Sequence, residues 1–226
     1  MRTFKQLHAL AAKRKGGAAA LETLMPDVKS PAALVKIPDD RWLSAMSKRI
    51  FQAGFNWTVV ENKWPGHEEA FSGFNPHRCA FLSDEDIETL AKDTRIIRNI
   101  AKIAAVRDNA AFLNGLTKEH GSAAKFFAQW PDSDLVGLLQ LMGKQASRLS
   151  GSTAQMVLRD MGKDTFILTQ DVCAALIREG VVTKKPSSQR DMIAVQAAFN
   201  KWRGESDRPF AHISRILAFS VENTSQ

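Results

Sequence analysis

Apolar residues recur along this chain at intervals of three and four, the period of helices that bury one face, while the alternation expected of strands is nearly absent. Glycine and proline divide the pattern into short periodic stretches. A basic helix is predicted over 3–15, ended by Gly16-Gly17, and 18–24 continues helically. Pro26 and Pro31 mark a connector, because a residue before proline is pushed out of the α region. Asp39-Asp40 opens a helix running to about Phe51, with acids placed to complement the N-terminal dipole. Ser83-x-x-Asp86 and Ser188-x-x-Asp191 read as capping-box starts.

A long helix is predicted over 94–116. Ile96, Ile97, Ile100, Ile103 and Ala104 would form its apolar face, and Arg95, Arg98 and Lys102 would share another. Further helices are expected at 122–130, 132–142, 154–161, 170–179, 188–203 and 210–221. Gly162 and Gly180 stand where C-caps are needed. The sum is an all-α protein with short connections.

Composition narrows the class. The 226 residues suit one mid-sized domain or two small ones, and a 44% hydrophobic content allows a core without staples. Lysine and arginine number 31 against 24 acids, a formal charge of +7 that hints at a polyanionic partner and is equally compatible with plain solubility. Cys79 and Cys173 show no metal-ligand spacing, so no metal is expected, and a pair this sparse suits a reducing cytoplasm. No apolar run reaches the roughly 20 residues that span a bilayer, so no membrane partner is expected. The five histidines form no catalytic spacing, and His67, beside Glu68-Glu69, reads as a surface residue. No phosphate loop, dinucleotide fingerprint or serine nucleophile elbow is present.

The residues from Arg49 to Val60 read Arg-Ile-Phe-Gln-Ala-Gly-Phe-Asn-Trp-Thr-Val-Val. This resembles the Gln-Ala-Gly-Leu-Ser-Trp signature of the DNA-3-methyladenine glycosylase I family, within the helix-hairpin-helix DNA glycosylase superfamily. The similarity extends through Lys63, Ala70, Phe71, Phe74 and Pro76, then Asp86, Leu90 and Asp93, to Ile96-Ile97-Arg98, Lys102-Ile103, Ala105 and Asn109-Ala110. It covers about residues 43–113. In the last third, Leu149 to Thr153 can be laid on the superfamily's hairpin, followed by its second helix and a short extended lead at Phe166 to Leu168. The hairpin is degenerate, with one glycine, Gly151, where family hairpins commonly show two; an ordinary polar loop is the alternative.

The resemblance implies a helix-hairpin-helix glycosylase fold of two intimately packed helical subdomains. The whole of 1–226 reads as one glycosylase-like region, with a central helical block at 35–130 and the hairpin with its following helix at 144–180. Flanking helices at 1–30 and 186–226 would pack on the rest. It also implies site residues. Trp57 matches the tryptophan lining the base pocket; a core aromatic is the alternative. Gly54-Phe55 matches the turn that wedges into the duplex, with Gln52 just before it; a buried helix-end residue is the alternative for Phe55. Arg98 and Lys102 match positions suited to phosphate, though a charge stripe is usually a solvated face. Arg148, Gly151, Ser152 and Thr153 would offer charge and backbone N–H groups to the DNA backbone, with Lys144 and Lys163 extending the basic surface.

Departures accompany the match. The family's base-recognising glutamate lies eight residues before its tryptophan, where this chain has Arg49. The N-terminal aromatic and Trp-Gly motif has no counterpart, and the zinc cysteines and histidines are missing. The superfamily aspartate at the helix after the hairpin aligns with Thr169; Asp171, two residues on, could replace it or simply be an acid in a first helical turn. No lysine stands in the hairpin to form a Schiff base.

The leading expectation is a monofunctional DNA glycosylase that excises an alkylated purine, 3-methyladenine, from double-stranded damaged DNA. It would be a cytoplasmic monomer without cofactor. The alternatives are a non-catalytic DNA-binding or damage-sensing protein on the same scaffold, a glycosylase with a shifted substrate, and a helical protein-interaction domain.

Overall fold

A computed structural model describes residues 1–222 and is helical throughout, with no strand among the described residues. In chain order the helices are α1 (Phe4–Arg14), α2 (Ala18–Glu22), α3 (Pro31–Leu34), α4 (Asp39–Gln52), α5 (Trp57–Ala70), α6 (Pro76–Ala80), α7 (Asp84–Leu90) and α8 (Ile100–His120). They continue with α9 (Ala123–Gln129), α10 (Leu135–Gln145), α11 (Ser152–Met161), α12 (Gln170–Arg178), α13 (Gln189–Ser206) and α14 (Phe210–Phe219). The chain divides into two compact units. One comprises Met1–Val28, Pro131–Gly137 and the chain from Asp164 onward; the other comprises Lys29–Trp130 and Leu138–Lys163. The segment 144–180 is thus shared out: the hairpin and α11 belong with the central block, and α12 with the terminal helices.

In the central unit α4 and α8 form the spine. Leu43, Met46, Ile50, Ile103, Val106, Ala110 and Leu113 are fully or almost fully buried, and Trp42 stacks on Phe127 at 4.4 Å. Asp39 joins two elements: its carboxylate accepts from Thr117 Oγ1 (2.6 Å) on α8 and from the backbone N–H groups of Ala123 and Ala124 (3.1 Å each), satisfying orphan donors of α9. The terminal unit is built on Leu7, Ala11, Phe166, Phe199, Trp202, Phe210, Ile213 and Leu217. There Pro209 has no side chain to cap α14, and the Asp164 carboxylate accepts from Phe210 N and Ala211 N (2.9 Å each) instead. Both capping boxes form, at Ser83/Asp86 and Ser188/Asp191.

Two expectations fail here. The helix predicted over 94–116 begins only at Ile100, so Arg95 and Arg98 do not share a helical face with Lys102. Side chains outside the segment take its backbone groups. His67 Nε2 accepts from Ile97 N (3.2 Å), Lys63 Nζ donates to Thr94 O, and Asp93 Oδ1 accepts from Arg95 N (2.8 Å). Asn99 then caps α8 through Lys102 N (3.1 Å). Gly66 permits this arrangement, since a Cβ there would lie 2.6 Å from Arg95 O. His67 is also not a surface residue: it is fully buried, stacked on Trp64 at 5.0 Å and edge-on to Phe51 at 4.7 Å. Helix α5 carries no strong helical period, contains Pro65, and forms because its second half buries that aromatic cluster.

Candidate base site and DNA-facing surface

The Gln-Ala-Gly-Phe segment is a tight turn between α4 and α5. Ala53 (φ −61°, ψ 117°) and Gly54 (φ 67°) have the signs of a type II turn, closed by Phe55 N donating to Gln52 O at 3.1 Å. The left-handed third position is why glycine stands at 54. The turn turns Phe55 outward, 45% exposed, and Asn56 caps α5 by accepting from Thr58 N (2.9 Å) and Val59 N (3.3 Å). Trp57 is therefore the first residue of α5 and is 51% exposed, which removes the core-aromatic alternative; Phe55 is likewise not a buried helix end.

Arg49 lies over that indole, its guanidinium carbon 5.1 Å from the ring centroid. The guanidinium is held at its edges. Nε and Nη2 donate to the two oxygens of Asp160 on α11, the Nη2 bond at 2.6 Å, and Nη1 donates to Gln52 Oε1 at 3.2 Å. Gln52, itself buried, donates through Nε2 to Glu61 Oε1 (2.9 Å), and Glu61 pairs with Lys48 at 2.7 Å. The position aligned with the family's glutamate is a cation here; one carboxylate, Asp160, holds it directly, and a second, Glu61, is linked to it through Gln52. Neither was visible as a site residue in the sequence: Asp160 lies 111 positions from Arg49 and follows no motif.

A cavity of about 320 Å³ is lined by Phe55, Val59, Lys63, Ile97, Arg98 and Lys102, among others. Lys102 Nζ donates to the carbonyls of Phe51 (3.0 Å) and Ala53 (2.7 Å), closing the open C-terminus of α4 and holding the wedge turn in place. Burial, and then the charge of Arg148, keep this amine below the ordinary lysine range. Arg98 is exposed at the rim.

The hairpin runs between α10 and α11. Asn109 on α8, fully buried, anchors its start by donating to Ser147 O (3.0 Å) and accepting from Ser147 N (2.8 Å). Arg148 (φ 58°) and Gly151 (φ 57°, ψ −132°) both have positive φ, Gly151 in a region that glycine alone adopts readily. Arg148 therefore takes a conformation that usually favours glycine, at a cost of about 1–2 kcal/mol; its Nε donates to Ala101 O at 3.2 Å. Gly151 is the N-cap of α11 and supplies no side-chain cap, so the first N–H groups of Ser152, Thr153 and Ala154 face outward from the helix start. Lys144 is exposed nearby. Lys163 is not part of this basic surface: it is buried and donates to Trp130 O at 2.8 Å.

Thr169 and Asp171 belong to the terminal unit. Thr169 caps α12 by accepting from Val172 N (3.2 Å), and Asp171 sits in its first turn with Oδ1 buried and without a hydrogen-bond partner. Cys79 and Cys173 are free and buried, burial pushing the Cys79 thiol up to about 12 and Cys173 upward as well. Among the described residues no cluster of histidine, cysteine and acids is placed to hold a metal ion, and no helix is long and apolar enough to cross a membrane.

Known proteins resemble this chain in sequence and fold. DNA-3-methyladenine glycosylase 1 of Escherichia coli (strain K12) is 39% identical over 72 residues, covering 28% of this chain and 38% of that one. The DNA-3-methyladenine glycosylase of Haemophilus influenzae (strain ATCC 51907 / DSM 11121 / KW20 / Rd) is 36% identical over 59 residues, 26% of this chain and 32% of that one. The matches thus span only about a third of the length of those relatives. The solved structure of 3-methyladenine DNA glycosylase I from Staphylococcus aureus superposes with a TM-score of 0.50 at 18% identity, over 55% of this chain and 77% of that one, which establishes the shared fold. The methyladenine glycosylase family model matches residues 36–176, well over half of the chain and all of the turn, indole and hairpin described above. The chain belongs to the methyladenine glycosylase family.

Proposed function

We propose that the chain is a monofunctional DNA glycosylase of base excision repair that hydrolyses the N-glycosidic bond of 3-methyladenine in double-stranded DNA. The observation that carries this is the half-exposed Trp57 indole beginning α5, two residues after an exposed Phe55 on a glycine turn, in the segment that the family model covers. A half-exposed aromatic side chain beside a protruding apolar wedge is what extraction of one base requires: the wedge fills the vacated stack and the indole receives the base. The Staphylococcus aureus relative is described as recognising 3-methyladenine, which supports the same base here.

The chemistry asks little of the protein. N3-alkylation makes the base cationic, so the C1′–N9 bond breaks with its electron pair passing to the base, which leaves neutral. A water oxygen then bonds C1′ and releases its proton to solvent. Flipping and electrostatics supply the help, which is why no strong general acid is needed. Arg98, Arg148 and Lys144 with the N–H groups opening α11 would hold the phosphates on either side; Lys102 contributes by holding the wedge turn. With no lysine in the hairpin, no Schiff base and no strand cleavage follow. The enzyme would work as a cytoplasmic monomer.

Incubating the full chain with methylated duplex DNA and measuring free 3-methyladenine tests this. Release above that of Trp57→Ala is expected, and none above it removes the assignment. Arg49 over the indole favours a second reading, binding without excision. Salt-sensitive binding with no released base would select it, and release of a different alkylated base would select a shifted substrate.

A further inference from the structure

The guanidinium of Arg49 is a flat, delocalised cation. It has the Trp57 indole on one face at 5.1 Å, both oxygens of Asp160 at one edge and Gln52 Oε1 at another. Met156 Sδ lies 4.0 Å from Nη1. An N3-alkylated adenine released from the stack is also a flat, delocalised cation with N–H donors on its edge, and it asks a site for the same two things: a π face and a carboxylate. We propose that the space between Trp57 and Asp160 is the recognition site for the cationic base, with Asp160 as its specificity-determining carboxylate and Arg49 as an internal stand-in that the base displaces. This rests on the function proposed above and names the residue that reads the charge of the base.

The charge balance requires this exchange. A cationic purine entering while Arg49 stays would place two cations on one indole, with Asp160 shared between them. With Arg49 withdrawn, one carboxylate meets one cation. The withdrawal is feasible because solvent reaches both partners, Arg49 being 19% and Asp160 36% exposed, so water can take over the guanidinium's donors as the incoming cation takes over its carboxylate. Gln52 makes the site directional. Its Nε2 is held by Glu61, which aims Oε1 at the occupant as an acceptor for a donor edge. Glu61 is itself compensated by Lys48 (2.7 Å), which leaves Asp160 as the carboxylate without a second cationic partner once Arg49 moves away.

The experiment measures binding of the free base and not excision. The probe is 3,9-dimethyladeninium, a permanently charged base in which a methyl replaces the sugar; 9-methyladenine is its neutral counterpart. Binding to the full chain is read from Trp57 indole N–H shifts in NMR spectra. Arg49→Ala removes the competitor, so affinity for the cation should rise about tenfold if Arg49 covers the ring about 90% of the time, while the neutral base gains less. Adding Asp160→Asn in that background should return the cation to the affinity of the neutral base. The added Asp160→Asn step keeps side-chain volume and the double variant leaves no unpaired charge, and a urea midpoint matching that of Arg49→Ala shows that folding is not the confounding factor. No gain on Arg49→Ala, or a preference for the cation that persists in the double variant, overturns the inference. Base excision that proceeds with Asp160 irrelevant to binding sinks this site alone. Selective binding without excision sinks the glycosylase reading and leaves the site standing.

Discussion

Helix α5 sets two tryptophans against two nitrogen-rich side chains, with opposite consequences. Near its middle, Trp64 is almost buried and stacks on His67 at 5.0 Å. Both imidazole nitrogens are used: Nδ1 donates to Lys63 O (2.9 Å) and Nε2 accepts from Ile97 N (3.2 Å). Burial keeps this ring below the ordinary histidine value, hence neutral. At the N-terminus, Trp57 is half exposed beneath a charged Arg49 whose partners are side chains and not backbone. The first pair is architecture, because moving it would leave backbone groups of the 94–99 segment unpaired. The second pair can open, because water and another cation can replace every contact it makes. A ring stacked on a nitrogen base is not by itself a site; displaceability makes it one.

The sharpest way to break this contrast is to truncate each indole. Trp64→Ala should cost roughly 3–5 kcal/mol of folding stability by urea titration. Trp57→Ala should change stability by no more than about 0.5 kcal/mol while base release falls roughly tenfold to a hundredfold. Similar destabilisation by both would mean that Trp57 is structural after all.

A smaller effect concerns protonation of the buried pair. A histidine whose folded value lies below its ordinary 6.5 binds fewer protons folded than unfolded. Its contribution is therefore fully present above 6.5 and is lost as pH falls through 6.5 toward the lower folded value. The urea midpoint should decline across that window in the wild type and decline less in His67→Phe; parallel profiles would remove His67 from the account. The smallest effect is at the rim. Arg98→Ala should reduce the slope of log affinity against log salt by about 1, without altering which base is preferred. An unchanged slope would take Arg98 out of the phosphate contacts.

Much of the fold was legible in the residues because its signals are local. Capping boxes at Ser83 and Ser188, the αL glycine at Gly162 and the acids opening α4 act within four residues of themselves, and each forms as read. The wedge turn was legible too, since a left-handed third position asks for Gly54. The start of α8 was not. Ile96 and Ile97 keep a helical spacing, yet the backbone there is claimed by His67 and Lys63, 30 and 31 positions away.

The same division runs through the site. The sequence alone determined an order of residues that marks the family, with Trp57, the Gly54-Phe55 turn and the Gly151 segment as candidates for the chemistry. Only the tertiary structure decided what faces the indole, because Arg49 and Asp160 meet across 111 residues and nothing in the local pattern of either one encodes the other. Local propensity is written in neighbours, whereas charge pairing is written in three-dimensional distance, and a substitution at position 49 acquires its meaning only from the helix packed against it.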